Sequence, residues 1–316
     1  MRIFLYEHIT AGGLGSDVPS SLVREGRAML NAIVTDFQHL PGIEVVTIEG
    51  AHLATFKQAA AACDWSLVIA PEFDHHLRDR SQAVLDAGGR LLGPSPGAIE
   101  LTGDKLALAE FWRVRGVRTP WTDVLTHADW THLDLPIVLK PRHGAGSQET
   151  WLVDVATSAI LVAEIFDLSR RERIVQEFIR GQATSVAVLI GKAQTIPLAP
   201  ARQHLSNDGR LRYEGGSLPL ALPLAARAKR LAVQAVAGID GLQGYVGVDL
   251  VLGEDGVDHA IEINPRLTTS YLGLRRLCLD NLAELMLKCV GGQPIDPPRW
   301  RDEPIAFGID DSEGNP

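Results

Sequence analysis

Two apolar segments near the end of the sequence each carry one acidic side chain, and the four residues Gly-Glu-Asp-Gly at 253–256 join them. A link of this kind predicts a β-hairpin. Because residues two apart on a strand share a face, Glu262 and Asn264 point the same way, and Asp249 on the first strand can lie beside Glu262. Two carboxylates and an amide oxygen on one surface suit Mg²⁺. The alternative is a set of unrelated charges on an edge hairpin.

The composition limits the class of protein. The 316 residues include 30 Lys and Arg against 39 Asp and Glu, a formal net charge of −9. An acidic chain with no Lys/Arg-rich run argues against nucleic-acid binding. No stretch approaches the ~18 apolar residues of a membrane span, and the first residues do not read as a signal peptide. Three scattered cysteines fit a reducing compartment. We expect a cytoplasmic protein with no membrane or nucleic-acid partner.

Strand and helix patterns alternate over the first ~100 residues, which is typical of a parallel sheet covered by helices. From residue 173 the pattern changes to successive β segments, followed by helices and the hairpin. The strands predicted in the first part are 2–6, 45–48, 66–70 and 90–92. The main predicted helices are 19–40, 103–115 with Thr102 as its N-cap, 156–168, 225–237 and 277–290.

Two glycine-containing runs resemble known functional sequence patterns but lack features that the corresponding chemistry needs. The run 93–97 matches G-x-S-x-G, but that motif needs the N–H group of the residue after the serine, and Pro96 has none. We interpret it as a rigid turn. The run 11–15 lacks the third glycine of a dinucleotide-binding loop. A tight strand-to-helix turn and a substrate-binding loop both remain open for it.

Three weaker features are candidates for nucleotide binding. Lys140 ends an apolar strand, and the small residues that follow let backbone N–H groups approach phosphate oxygens. Lys105 stands near a helix start, and the strand edge 176–181 can offer backbone groups to an adenine. An ordinary hairpin turn, a surface lysine and a plain strand are the alternatives.

In their order along the chain, these features resemble the ATP-grasp superfamily over residues 93 to 290. The resemblance implies an α/β and α+β fold in which a parallel α/β domain precedes two ATP-grasp subdomains with ATP between them. The corresponding boundaries are 1–97, 98–172 and 173–316. One departure concerns the ribose, because many relatives carry an acidic residue where this chain has Gln182, Ala183 and Thr184.

The resemblance also implies residue roles, which we state as expectations. Arg266 would stabilise the transferring phosphoryl group, with Lys140 as a second catalytic cation. ATP would be held by Lys105 and Lys140 at its phosphates, by a loop of His143, Gly144, Ala145, Gly146 and Ser147, and by Glu177, Phe178 and Ile179 at adenine. Two Mg²⁺ ions, or Mn²⁺, would be held by Asp249, Glu262 and Asn264.

Four further runs are similar to tyramine–glutamate ligases: 6–13, 197–200 with Gln203, 213–216 and 264–271. That resemblance implies ATP-dependent amide formation between L-glutamate and tyramine, or tyrosine, for a methanofuran-type one-carbon cofactor. Candidate substrate contacts are Glu7, His8, Gly12, Gly13, Arg202, His204, Tyr213, Thr268, Thr269 and Ser270. Glu7 and His8 are the candidate general bases. Alternatives are another amine acceptor and a non-catalytic MgATP sensor, and the acidic α/β lobe leaves room for a homodimer.

Overall fold

The structure is a computed structural model that describes residues 1–15, 18–125, 135–144, 149–154 and 172–308. Its N-terminal unit is a parallel sheet in which β1 (Arg2–Glu7) lies between β2 (Glu44–Val46) and β3 (Trp65–Ile69). The predicted strand at 90–92 is instead a single parallel bridge between Ser66 and Leu91.

Alternation along β1 sends its side chains into two cores. Ile3 and Leu5 pack against α1 (Ser20–Gln38), while Phe4 and Tyr6 pack on the opposite face. That second face is covered by α2 (Leu53–Ala61) and α3 (His76–Asp86). The sheet is therefore buried on both sides, as parallel sheets are, and the alternating α/β pattern of the sequence is confirmed.

Two helices follow the turn at 93–97. The Ser95 hydroxyl accepts the N–H of Ala98 at 3.2 Å, which makes it the N-cap of α4 (Pro96–Gly103). The next helix, α5 (Lys105–Val114), is capped by Asp104, whose carboxylate accepts two backbone N–H groups. The predicted cap Thr102 is thus wrong, because its hydroxyl lies inside α4 and donates to a carbonyl of the preceding turn.

A second sheet is antiparallel. Its strands are β4 (Thr122–Val124), β5 (Ile137–Pro141), β6 (Trp151–Val153) and β7 (Arg173–Glu177). They lie side by side in the order β4-β7-β5-β6. Because β7 pairs with both β4 and β5, the predicted boundary between residues 172 and 173 falls before the last strand of this sheet. The predicted helix at 156–168 lies outside the described residues.

The third sheet carries the acidic hairpin. Its strands are β8 (Gly181–Ile190), β9 (Thr195–Pro197), β10 (Ala201–Leu205), β11 (Tyr213–Leu218), β12 (Gly244–Gly253), β13 (Asp258–Asn264) and β14 (Ile305–Phe307). They lie side by side in the order β13-β12-β8-β10-β11-β14, and β9 also pairs with β8. Asp249 is directly opposite Glu262, so the predicted hairpin and its pairing are confirmed.

Three helices pack around this sheet: α6 (Leu222–Val236), α7 (Ser270–Leu277) and α8 (Leu282–Val290). The predicted helix at 277–290 corresponds to α8, which begins five residues later than predicted, while Leu277 is the last residue of α7. Side chains of α1, α7 and α8 share one core with the third sheet, which joins the two ends of the chain. Within the part of the chain that the structure describes, no helix has the length and apolar character of a membrane span.

A buried polar network fixes this junction. The Tyr271 hydroxyl donates to Asp36 of α1 at 2.6 Å, and the Arg275 guanidinium contacts the same carboxylate at 2.6 and 3.1 Å. Asn281 donates to the Asp36 carbonyl at 2.8 Å. Burial, together with the Asp36 charge, raises the pKa of Tyr271 well above its ordinary value, which keeps its hydroxyl a donor.

We expect Asp36→Ala to lower the free energy of unfolding by about 3 kcal/mol, because it leaves the Tyr271 hydroxyl and the Arg275 guanidinium without their acceptor. Urea denaturation followed by circular dichroism measures the change. Glu110→Ala is the control, since its ion pair with Arg113 is exposed and should contribute under ~0.5 kcal/mol. Equal effects of the two substitutions would contradict the assignment.

Candidate active site

A cleft of about 1140 Å³ lies between the second and third sheets. It collects predicted site residues from helix α5, from five strands and from the segments that follow those strands. Those lining it are Lys105, Lys140, Gly144, Glu177, Phe178, Ile179, Tyr213, Asp249, Glu262, Asn264, Arg266, Thr268, Thr269 and Ser270. Ala145, Gly146 and Ser147 lie outside the described residues.

The carboxylates of Asp249 and Glu262, at the floor of this cleft, have pKa values shifted in opposite directions. Burial, with the neighbouring Glu262 charge, raises the pKa of Asp249 above its ordinary value. Burial would also raise the pKa of Glu262, but the charges of Lys105 and Lys140 hold it below its ordinary value. Asp249 is further fixed by N–H donors from Gln203 at 2.9 Å and Asn264 at 3.0 Å.

The side-chain oxygen atoms of Asp249, Glu262 and Asn264 fit a divalent cation. The two adjacent carboxylates are partly buried and repel one another, and a cation between them would remove that cost. The described residues contain no metal-binding group of three or more His, Cys, Asp or Glu side chains. The site has only two carboxylates and one amide oxygen, from Asp249, Glu262 and Asn264. Such a small set of oxygen ligands leaves coordination positions for phosphate and water, as Mg²⁺ requires.

Two lysines face the acids from the opposite wall. Lys140 closes β5 with 6% of its surface exposed, and burial lowers its pKa to about 8. Lys105, at the first turn of α5, places its ammonium 3.7 Å from Glu262 and donates to the Gly144 carbonyl at 2.7 Å. Lys105 thereby ties the start of the glycine loop to the acidic hairpin.

The start of the same loop is also anchored through Arg142. The Arg142 guanidinium makes two bonds to the Asp104 carboxylate, at 2.8 and 2.6 Å. The cap of α5 therefore also positions the residue before the loop. His143 does not line the cleft, and its ring centroid is 6.3 Å from that of His75.

The predicted adenine edge follows β7. Glu177, Phe178 and Ile179 line the cleft where β7 ends, and the Glu177 N–H donates to the Trp121 carbonyl at 2.9 Å. Gly181 then begins β8 against β12, where a Cβ atom would lie 2.3 Å from the Leu252 carbonyl oxygen. Only glycine fits this crossing between the two sheets.

Arg266 leaves the acidic strand and meets the N-terminal unit. Its Nε donates to Glu72 at 3.0 Å and its Nη1 donates to the Leu267 carbonyl at 3.1 Å. Burial lowers the pKa of Arg266, but the charges of Glu72 and Glu25 outweigh it and raise the pKa above its ordinary value. Sequence reasoning missed Glu72, whose only signal is its place after the third parallel strand, where ligand sites form.

The hydroxyl residues after Arg266 all reach the cleft but are already bonded. Thr268 bonds the Tyr245 hydroxyl at 3.2 Å and Ser270 at 2.8 Å, while Thr269 donates to Glu25 of α1. They therefore shape the wall between the cleft and the N-terminal unit.

The predictions for β10 need correction. Arg202 and His204 are exposed and do not line the cleft, because alternation along the strand turns them to the face opposite Gln203. Gln203 is the residue that faces Asp249, and the alternation could have identified it. Tyr213 on the neighbouring strand does line the cleft.

The N-terminal candidates separate into two groups. Glu7 accepts the N–H groups of Ile9 at 3.1 Å and Thr10 at 2.6 Å, and it lines a second, smaller cavity that also touches Arg266. His8 is buried beneath Gly13, where a Cβ atom would lie 2.2 Å from the imidazole.

The surroundings of His8 indicate a packing role. Its Nδ1 bonds the Tyr6 hydroxyl at 3.1 Å, its ring is 4.6 Å from that of His76, and burial lowers its pKa to about 4. His8, Gly12 and Gly13 line neither of the two cavities. They build the turn after β1, in which Gly12 adopts a φ of +78°.

Comparison with known proteins identifies the family. The ATP-grasp domain (ATP-grasp_3) matches residues 102–270, and the pre-ATP-grasp 3 domain matches residues 29–99. The chain belongs to the ATP-grasp family. Together with its ligase relatives this makes it an ATP-dependent ligase that joins a carboxylate to an amine.

Individual relatives agree with this class. Tyramine–L-glutamate ligases of Methanocaldococcus fervens and Methanocaldococcus jannaschii are each 27% identical over 93% of this chain, and the matches cover 95% and 90% of those proteins. A crystal structure of a proposed ATP-grasp superfamily protein from Archaeoglobus fulgidus is 26% identical, with a TM-score of 0.73 over 95% of this chain and 90% of that one.

A more distant structure supports the fold alone. N5-carboxyaminoimidazole synthetase from Staphylococcus aureus, complexed with ADP, is 14% identical with a TM-score of 0.73. The match covers 95% of this chain and 79% of that one. The ATP-grasp fold predicted from the sequence is confirmed.

We expect Lys140→Ala to weaken ATP binding by at least ~30-fold, because it removes a buried cation from the wall that faces the acids. Fluorescence titration with a labelled ATP analogue measures the affinity. The control is Lys192→Ala, since Lys192 is exposed outside the cleft. An affinity within threefold of the unsubstituted protein would show that Lys140 does not contact the nucleotide.

Proposed function

We propose that the chain joins the γ-carboxylate of L-glutamate to the amine of tyramine, with cleavage of ATP to ADP and with Mg²⁺ as cofactor. The observation that carries the proposal is the convergence of Lys105, Lys140, Arg266 and the acidic hairpin on one cleft. The two Methanocaldococcus ligases, matched over nearly their whole length, support the choice of substrates.

In this proposal the chain's residues position the phosphates and neutralise their charge. Lys105 and Lys140 bind the ATP phosphates, and Asp249, Glu262 and Asn264 hold Mg²⁺. When bound, Mg²⁺ neutralises phosphate charge and orients the terminal phosphoryl group. Phosphoryl transfer depends mainly on such positioning and electrostatics.

Two chemical steps follow. An oxygen of the glutamate γ-carboxylate attacks the terminal phosphorus, which forms γ-glutamyl phosphate and breaks the bond to ADP. The tyramine nitrogen then attacks the acyl carbon, loses a proton and expels inorganic phosphate as the amide forms. Arg266 lies beside the acidic hairpin and stabilises the negative charge of the transferring phosphoryl group in the first step.

Water has to be kept from the acyl phosphate, because hydrolysis would waste it. We assign this role to the loop of residues 143–147, whose first part is held by Lys105 and Arg142. The amide product would be an intermediate in the biosynthesis of a methanofuran-type cofactor. The cytoplasmic location and the homodimer stay predictions.

We expect purified protein to release ADP from MgATP and L-glutamate in a tyramine-dependent manner and to form a product with the mass of γ-glutamyltyramine. Removal of Mg²⁺ with EDTA should abolish turnover, and added Mg²⁺ should restore it. Coupled ADP detection and mass spectrometry measure both. Turnover with another amine but not with tyramine would disprove the acceptor, whereas full turnover in EDTA would disprove the metal.

Glu262→Gln tests the metal residues directly. We expect turnover to fall by at least ~100-fold, because the substitution removes one anionic oxygen ligand from the acidic hairpin. Glu254→Gln is the matched control, since Glu254 is exposed in the turn of the same hairpin. Similar turnover in the two variants, with unchanged circular dichroism, would contradict the assignment of Glu262.

A further inference from the structure

Two bonds to the protein fix the direction of the Arg266 guanidinium. Its Nε donates to Glu72 at 3.0 Å, and its Nη1 donates to the Leu267 carbonyl at 3.1 Å. A guanidinium carries further N–H donors, and Arg266 lines the main cleft. The donors that these two bonds do not use can therefore reach a ligand in the cleft, in a direction that the two bonds set.

The acceptor of the first bond belongs to the N-terminal unit. Glu72 lies after β3, 194 residues before Arg266 in the sequence, and is 8% exposed. Its side chain lies against the end of α4, where a Cβ atom on Gly103 would be 3.5 Å from the Glu72 Cβ. This confinement limits the positions open to the carboxylate, so the place of Glu72 determines the place of the Arg266 Nε.

The backbone after Glu72 has an uncommon conformation. Asp74 and His75 follow one another with φ values of +51° and +60°, which residues with a side chain seldom adopt. The Leu77 N–H donates to the Pro71 carbonyl at 3.1 Å and closes the turn. Strained conformations persist only where the surrounding structure fixes them, and they are frequent at functional sites. The turn therefore presents Glu72 as a rigid acceptor.

A stabilising role does not explain why Glu72 carries a charge. Within the described residues, its second oxygen, Oε2, is buried and has no hydrogen-bond partner. An unpaired buried oxygen costs stability, and a buried ion pair often stabilises a fold no better than apolar residues of similar volume. The pairing of Glu72 with Arg266 is better explained by what the guanidinium does in the cleft.

We propose that Glu72 is a positioning residue, which directs the Arg266 guanidinium at the phosphoryl group during its transfer from ATP to the carboxylate substrate. The inference rests on the proposed function and extends it to the N-terminal unit. Glu72 does not itself line the cleft, so it acts through Arg266. Lys105, Lys140 and the acidic hairpin bind ATP without it, and the contribution of Glu72 belongs to phosphoryl transfer rather than to ATP binding.

Glu72→Asp tests the position of the carboxylate and keeps its charge. The carboxylate is withdrawn by one carbon–carbon bond, so the guanidinium loses its present direction. Activity is measured with MgATP, L-glutamate and hydroxylamine, which converts the activated carboxyl group into a hydroxamate. We expect kcat to fall by at least ~10-fold and KM for ATP to stay within about threefold. Glu100→Asp is the matched control, since Glu100 is exposed and its partner Arg78 is 3.6 Å away.

A double substitution shows whether Glu72 acts through Arg266. In the Arg266→Ala protein, Glu72→Asp should lower kcat by less than about twofold further, because the guanidinium that Glu72 directs is gone. Mass spectrometry after long incubation measures the residual hydroxamate. An equal fall in both backgrounds overturns the inference. If Arg266→Ala forms no detectable product, kcat and KM of the Glu72→Asp protein decide.

Hydroxylamine also separates this inference from the proposed function, because hydroxamate formation needs activated glutamate but no tyramine. No hydroxamate from the unsubstituted protein overturns the proposed function and the inference with it. A kcat of Glu72→Asp within about threefold of the unsubstituted value overturns the inference alone, whether or not KM for ATP rises. If Glu72→Asp does not fold, Glu72→Gln is tested with the same limits, since it removes the charge that strengthens the bond to Nε.

Discussion

The arrangement of the cleft depends on one electrostatic constraint, the placement of the partly buried carboxylates of Asp249 and Glu262 directly opposite one another. Two carboxylates on neighbouring strands cannot stay buried and charged without cations. The chain supplies Lys105 and Lys140 from the opposite wall, and these lower the pKa of Glu262 while that of Asp249 stays raised. A divalent cation would complete this compensation, and it would add positive charge that attracts a polyphosphate.

Lys105 both lines the cleft and links the second and third sheets. Lys105 bridges Glu262 and the Gly144 carbonyl, and Asp104 both caps α5 and binds Arg142. The N-terminal unit reaches the site through Glu72 and Glu25, on either side of Arg266. The N-terminal unit and the third sheet thus meet at the Arg266 guanidinium, and Glu25 of the N-terminal unit also lines the main cleft.

Local patterns predicted much of this architecture. Periodicity and turn residues are visible in short stretches of sequence. They therefore predicted the hairpin, its facing acids and the alternating α/β unit. The predicted cap Thr102 is two residues away from the observed cap Asp104, because periodicity does not fix where a helix begins. Arg202 and His204 are predicted substrate contacts, but strand alternation places Gln203 on the face that carries Asp249. Glu72 and Glu25 have no local motif, because tertiary packing alone brings them to Arg266 from almost two hundred residues or more away.

The most direct test of the central claim is to follow one oxygen atom through the reaction. L-Glutamate labelled with ¹⁸O in its γ-carboxylate is incubated with MgATP, tyramine and the protein, and the released phosphate is examined by mass spectrometry. If the carboxylate attacks the terminal phosphorus and the amine then displaces phosphate, one ¹⁸O atom passes into each phosphate. Amide formation with unlabelled phosphate would contradict the acyl-phosphate route and the role of the cleft in it.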